Sequence, residues 1–160
     1  MEFRDLYDKQ RILTHETIEE KKSVPKGRYY ITVVVFIENS KDKILLQKRS
    51  AQKGGQWATT GGHPKMGETS LQGICTEIQE ELNITIKNQE LTLFKTIKTE
   101  DDFVDLYYLK KDIDIQKIQV QKEEVQEVKW FSKNEISEMI KNNKFFKWHI
   151  DFYYDFLKYK

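Results

Sequence analysis

The feature that most constrains this chain is the stretch from Gly61 to Ile84, GGHPKMGETSLQGICTEIQEELNI. It opens with a glycine pair and a His-Pro turn. Thr69 followed three residues later by Gln72 has the form of a capping box, so a helix of about four turns is predicted to start there. Leu71, Ile74, Ile78 and Leu82 recur at helical spacing and mark the buried face. Glu77, Glu80 and Glu81 stand at i, i+3 and i+4, in a narrow sector about 120° round the helix from that face. Three like charges so close repel one another and raise each other's pKa unless a cation neutralises them. Clustered hard oxygen ligands are what Mg²⁺ or Mn²⁺ takes. An acidic face is also common on an ordinary solvated helix, so the surroundings must decide between the two.

A chain of 160 residues is expected to form one domain, residues 1–160, with no need of a metal or disulfide to hold it together. Lysine plus arginine (27) nearly balances aspartate plus glutamate (26), which argues against binding to polymeric nucleic acid or to a membrane surface. The single cysteine, Cys75, excludes an internal disulfide and fits a reducing compartment. The longest apolar run, residues 31–37, is too short to span a bilayer. A cytoplasmic protein is expected.

Along the chain, residues 2–14 suggest a short hairpin and the charged residues 15–26 a connection, with His15 solvated. Residues 28–38 (RYYITVVVFIE) are β-branched and aromatic and predict a strand buried on both faces, with residues 43–50 returning as a second strand. The segment 44–67 delivers Arg49, Lys53, Trp57, His63 and Lys65 toward the glycine pair. Cations opposite a carboxylate-bound metal suit a diphosphate, because both neutralise its oxygens. Residues 91–98 and 103–110 predict further strands, and VQEVKWF at 125–131 another. Ser132 with Glu135 makes a second capping box. From Lys144 onward Phe145, Trp148, Phe152, Phe156 and Tyr159 form a helical stripe, so the segment 132–160 reads as C-terminal helices. So apolar a last helix must bury more than one face, in the core, in a substrate pocket or in a homodimer contact.

Gly62, then Glu68 after five residues, then TEIQEELNI after seven more, resembles the box of the Nudix hydrolases, at residues 61–84 here. The resemblance rests on Gly62, Glu68, Glu77, Ile78, Glu80, Glu81 and Ile84. Two positions depart from the pattern. Asn83 replaces a glycine at the helix end, where Asn is the next best residue in a left-handed C-cap. Thr76 replaces an arginine that in relatives ties a box glutamate to the loop, and threonine brings neither the charge nor the forked donor.

The resemblance implies an α/β/α sandwich with a mixed sheet between helices. It implies Mg²⁺ or Mn²⁺ held by Glu77, Glu80 and Glu81 with a carbonyl from Gly61, and hydrolysis of a diphosphate linkage in a nucleoside diphosphate joined to another moiety. The proton acceptor would be Glu77 or a downstream glutamate, Glu123 or Glu124, of which Glu124 is taken. Arg49 and Lys53 would bind phosphate oxygens, His63 would join them, and Trp57 or the C-terminal aromatics would face the organic part. The opening FRDLYD, the QKRS strand and Gly-His-Pro at 62–64 look most like the branch that includes isopentenyl-diphosphate isomerase. The isomerases carry a catalytic cysteine where this chain has Gly61, so hydrolysis is the expectation. An isomerase-like enzyme is one alternative; a non-catalytic module that binds a nucleotide or protein partner is the other, suggested by Thr76.

Overall fold

In the computed structural model, which describes residues 2–160, the chain opens as an antiparallel hairpin of β1 (Phe3–Tyr7) and β2 (Leu13–Glu19). The Asp8 carboxylate closes the turn by accepting from the backbone N–H groups of Gln10 (2.8 Å) and Ile12 (2.9 Å). The hairpin is longer than the sequence suggested. Residues 15–19, expected as connection, pair with β1, with Thr17 opposite Asp5 and Ile18 opposite Arg4. Main-chain pairing carries these polar residues because the ribbon leaves much of their side-chain surface in solvent. His15 is exposed, as expected.

Seven strands form one mixed sheet: β3 (Tyr30–Glu38), β4 (Ile44–Arg49), β5 (Trp57–Ala58), β6 (Thr60–Gly62), β7 (Leu91–Lys98), β8 (Asp102–Lys110) and β9 (Val125–Phe131). The centre is β3, parallel to β8 from Tyr30 opposite Asp102 to Glu38 opposite Lys110, and antiparallel to β6. The β-branched run of β3 feeds both faces, as its near-continuous apolar pattern predicted. Val33, Val35 and Ile37 pack with Ile74, Ile78 and Leu82 of α1 (Ser70–Leu82). Val34 and Phe36 pack with Ile136 of α2 (Lys133–Lys141) and with Tyr153 and Phe156 of α3 (Ile150–Tyr159). Each fully buried aliphatic side chain contributes about 1.5–3 kcal/mol on either side. The result is the expected α/β/α sandwich.

Both expected caps are present. Thr69 and Gln72 form a reciprocal capping box on α1, and Ser132 and Glu135 do the same on α2. Asn83 ends α1 in the left-handed conformation, at φ 57°. The C-terminal segment departs from expectation. The helical stripe read from Phe145 onward becomes regular helix only at Ile150. The Trp57 N–H donates to the Lys144 carbonyl and the Phe146 N–H to the Trp57 carbonyl, both at 2.8 Å, so this part of the chain is committed to the sheet edge. Lys147–His149 then makes a single 3-10 turn, and Trp148 points outward, 67% exposed.

Candidate active site

The buried end of the carboxylate face is Glu81. Gln47 of β4 donates its Nε2–H to Glu81 Oε1 at 3.3 Å, and Gln47 Oε1 in turn accepts from the Thr60 hydroxyl at 2.7 Å, which fixes the amide's orientation. Glu81 Oε2 is buried with no partner. One turn earlier on α1, the Glu77 carboxyl lies flat against β6. A Cβ built on Gly62 would come within 2.3 Å of Glu77 Cδ, so glycine is required for this approach. Burial pushes both carboxyls up to about 8, with Glu80 adding to the shift on Glu77 and Glu77 to that on Glu81.

The three glutamates expected to act as one cluster are divided. Glu80 pairs with Lys65 on the loop before α1, and among the described residues no three acidic, histidine or cysteine side chains converge as a ready-made metal cage. The cause is electrostatic: carboxylates on one helix face separate, and the outermost takes the nearest cation. The donors themselves suit a hard divalent ion, since Glu81 keeps an unused buried oxygen and burial makes charge on Glu77 and Glu81 costly unless a cation neutralises it. Gly61, named with them, pairs with Val34 in the β3–β6 ladder beside Gly62.

The position where the resemblance led to an arginine is filled by Thr76. The Thr76 hydroxyl donates to Glu68 Oε2 at 2.6 Å, while Glu68 Oε1 accepts from the Lys65 backbone N–H at 2.7 Å. Threonine supplies the tie between helix and loop, and Lys65 supplies the charge, to Glu80.

On the other side of Glu81, Arg49 and Lys53 come together with Glu124. Lys53 forms an ion pair with Glu124, and Ser50 N–H donates to the Glu124 carbonyl at 3.0 Å. Glu124 therefore faces the site, and its charge adds to the upward shift on Glu81. Glu123 is exposed. Arg49 lies over the Phe146 ring, with its pKa lowered by burial and held up in part by Glu124 and Glu81.

Two expected substrate residues do not join this group. Trp57, partly buried, packs edge-to-face on Phe131 (4.8 Å between centroids) against the core on the α2 and α3 side, whereas Glu81 and Gln47 meet on the α1 side. Its neighbour Ala58, not Trp57, is the residue paired with Gln47, and alternation sends the indole to the opposite face. His63 turns toward the N-terminal hairpin. Its Nδ1 lies 3.2 Å from the Ile31 carbonyl, so that nitrogen carries the hydrogen, and its ring meets Tyr30 edge-on. Burial first and Arg4 second lower its pKa to about 4, so it is uncharged. Cys75 is a free thiol whose Sγ donates to Asn88 Oδ1 at 3.4 Å. The residues that sequence reading missed are Gln47, Phe146 and His149. Gln47 had a usable signal, a polar residue inside an apolar strand two positions before Arg49. The other two depend on the path of the C-terminal segment.

Comparison with known proteins identifies the family and the fold. The NUDIX domain family matches residues 28–156. A Nudix hydrolase of Listeria monocytogenes is 31% identical over 149 residues, covering 91% of this chain and 88% of its own length. The isopentenyl-diphosphate Δ-isomerase of Pectobacterium atrosepticum is 34% identical over 71 residues, only 42% of this chain and 40% of its own. In three dimensions the crystal structure of DR0079 from Deinococcus radiodurans superposes with a TM-score of 0.74 at 19% identity, covering 89% of this chain and 91% of that one, which shows a shared fold. The chain belongs to the Nudix hydrolase family.

Proposed function

We propose that this protein hydrolyses a diphosphate linkage in a nucleoside diphosphate joined to another moiety, by attack of water at phosphorus with Mg²⁺ or Mn²⁺ bound. The observation that carries this reading is the pair of Glu81, buried with an unpartnered oxygen, and half-buried Glu77, set beside the cation of Arg49. Glu77 and Glu81, joined by Glu80 once released from Lys65 and by the Gly61 carbonyl, would hold the ion, which would supply charge neutralisation for the diphosphate and activation of the attacking water. Gln47 orients Glu81 for that task and Thr60 orients Gln47. Arg49 and Lys53 bind the non-bridging oxygens. Glu124, at the edge of the site and paired with Lys53, accepts the proton from the attacking water.

The test is turnover of a panel of nucleoside diphosphate derivatives and triphosphates in isotopically heavy-oxygen water, with Mg²⁺ or Mn²⁺. Label should appear in a phosphate product, and Glu81→Gln should lower turnover at least about a hundredfold. Unlabelled phosphate groups, or full activity in Glu81→Gln, would contradict the proposal. Isomer formation without hydrolysis would point instead to the chemistry of the part-length isomerase relative.

A further inference from the structure

Arg49 ends β4 with its guanidinium carbon 3.8 Å from the centroid of the Phe146 ring. Glu81 and Glu124 are its charged neighbours, yet among the described residues it forms an ion pair with neither. A partly buried guanidinium next to two carboxylates is expected to swing onto one of them, forming a bidentate pair. Stacking on an aromatic face is the competing geometry that arginine allows. Phe146 is itself fixed. Its N–H donates to the Trp57 carbonyl at 2.8 Å, its own carbonyl accepts from the His149 N–H at 3.0 Å, and the His149 ring meets it edge-on at 4.9 Å. His149 Nδ1 is buried without a partner. Burial first and the charge of Arg49 second push the imidazole down to about 3, so no second cation competes with Arg49.

We propose that Phe146, braced by His149, is a positioning residue that holds Arg49 clear of Glu81 and Glu124 and presents its guanidinium to the phosphate oxygens of the substrate. The proposal rests on the diphosphate reading above. Without the ring, Arg49 folds onto a carboxylate, which cancels the anion site and removes a ligand or base at the same time.

Three measurements test it, two of them independent of turnover. In proton NMR of the wild-type protein, the Arg49 side-chain resonances should show the upfield ring-current shift of a group stacked on an aromatic face. The shift should vanish in Phe146→Leu and persist in Phe146→Tyr. For a hydrolysed substrate, KM should rise about tenfold in Phe146→Leu and kcat should fall with it, since the carboxylate that Arg49 takes is lost to catalysis, and Phe146→Tyr should restore both. Binding of inorganic pyrophosphate with Mg²⁺, followed by calorimetry, should weaken by the same factor. Unshifted Arg49 resonances in the wild type, or equal KM and pyrophosphate affinity in Phe146→Leu, would overturn the proposal. Should the wild type hydrolyse no diphosphate at all, the functional reading fails, while the NMR shift and pyrophosphate binding still decide where Arg49 is held. Should Phe146→Leu not fold, the wild-type spectrum and Phe146→Tyr decide it.

Discussion

At the scale of single residues, chemistry is shared out among side chains that a motif treats as one. Thr76 keeps the geometric half of an arginine's work and Lys65 the electrostatic half. Thr76→Val should therefore leave the fold intact and lower kcat about tenfold, since a hydrogen bond to a carboxylate contributes about 1.5–3 kcal/mol and the lost tie frees the loop that carries Glu68. Steady-state kinetics alongside a denaturation curve check both halves. The placement of the glutamates and Thr76 on one helix was legible because it depends only on spacing along that element. Gln47 and Phe146 were not, because what they do is decided by which strand or turn lies beside them. Trp57 misled for the same reason: its place in the segment leading to the glycine pair put it near the site, and the alternation of β5 points it to the other face.

At the scale of elements, the helix carrying the carboxylates is defined at both ends by local chemistry, which is why its limits could be read in advance. Thr69→Ala removes the acceptor for the Gln72 N–H and should cost about 1 kcal/mol. Asn83→Gly should cost nothing, whereas Asn83→Ala should destabilise by about 1 kcal/mol, because only the latter forces a Cβ into a left-handed backbone. Urea titration of the three variants checks the order. The last helix was less legible. Its aromatic periodicity is real from Ile150, but the preceding residues carry the same composition into a sheet-edge contact and an exposed Trp148. Local pattern does not distinguish a helix that starts from a strand that docks.

At the scale of the whole molecule, one buried carboxylate joins four parts. Asp105, 1% exposed, accepts from Arg11 of the hairpin turn (2.9 and 2.5 Å), from Ser70 at the start of α1 (2.5 Å) and from Thr96 of β7 (2.7 Å). Burial alone would raise its pKa, and these donors hold it below the ordinary value. Asp105→Ala should cost about 3 kcal/mol by leaving those donors unpaired. Stability should also depend on pH in a way set by the site. His63 and His149 titrate lower in the folded chain, at about 4 and about 3 against 6.5, so stability falls as pH drops below about 6.5. Glu77 and Glu81 titrate higher, at about 8 against 4.5, so the metal-free protein binds more protons folded than unfolded and loses stability as pH rises toward 8. The two trends oppose each other between about 4.5 and 6.5, and the fall from about 6.5 to 8 is the visible one. Denaturation midpoints in chelator at pH 6.5 and 8 should show it, and added Mn²⁺ should reverse it at pH 8. The most direct measurement of the central claim is titration of Mn²⁺ followed by electron paramagnetic resonance, on the wild type, Glu77→Gln and Glu81→Gln. Saturable binding at pH 8, weakened at least about tenfold in both variants, is the expected result. Equal binding in all three proteins would mean that Glu77 and Glu81 do not hold the metal.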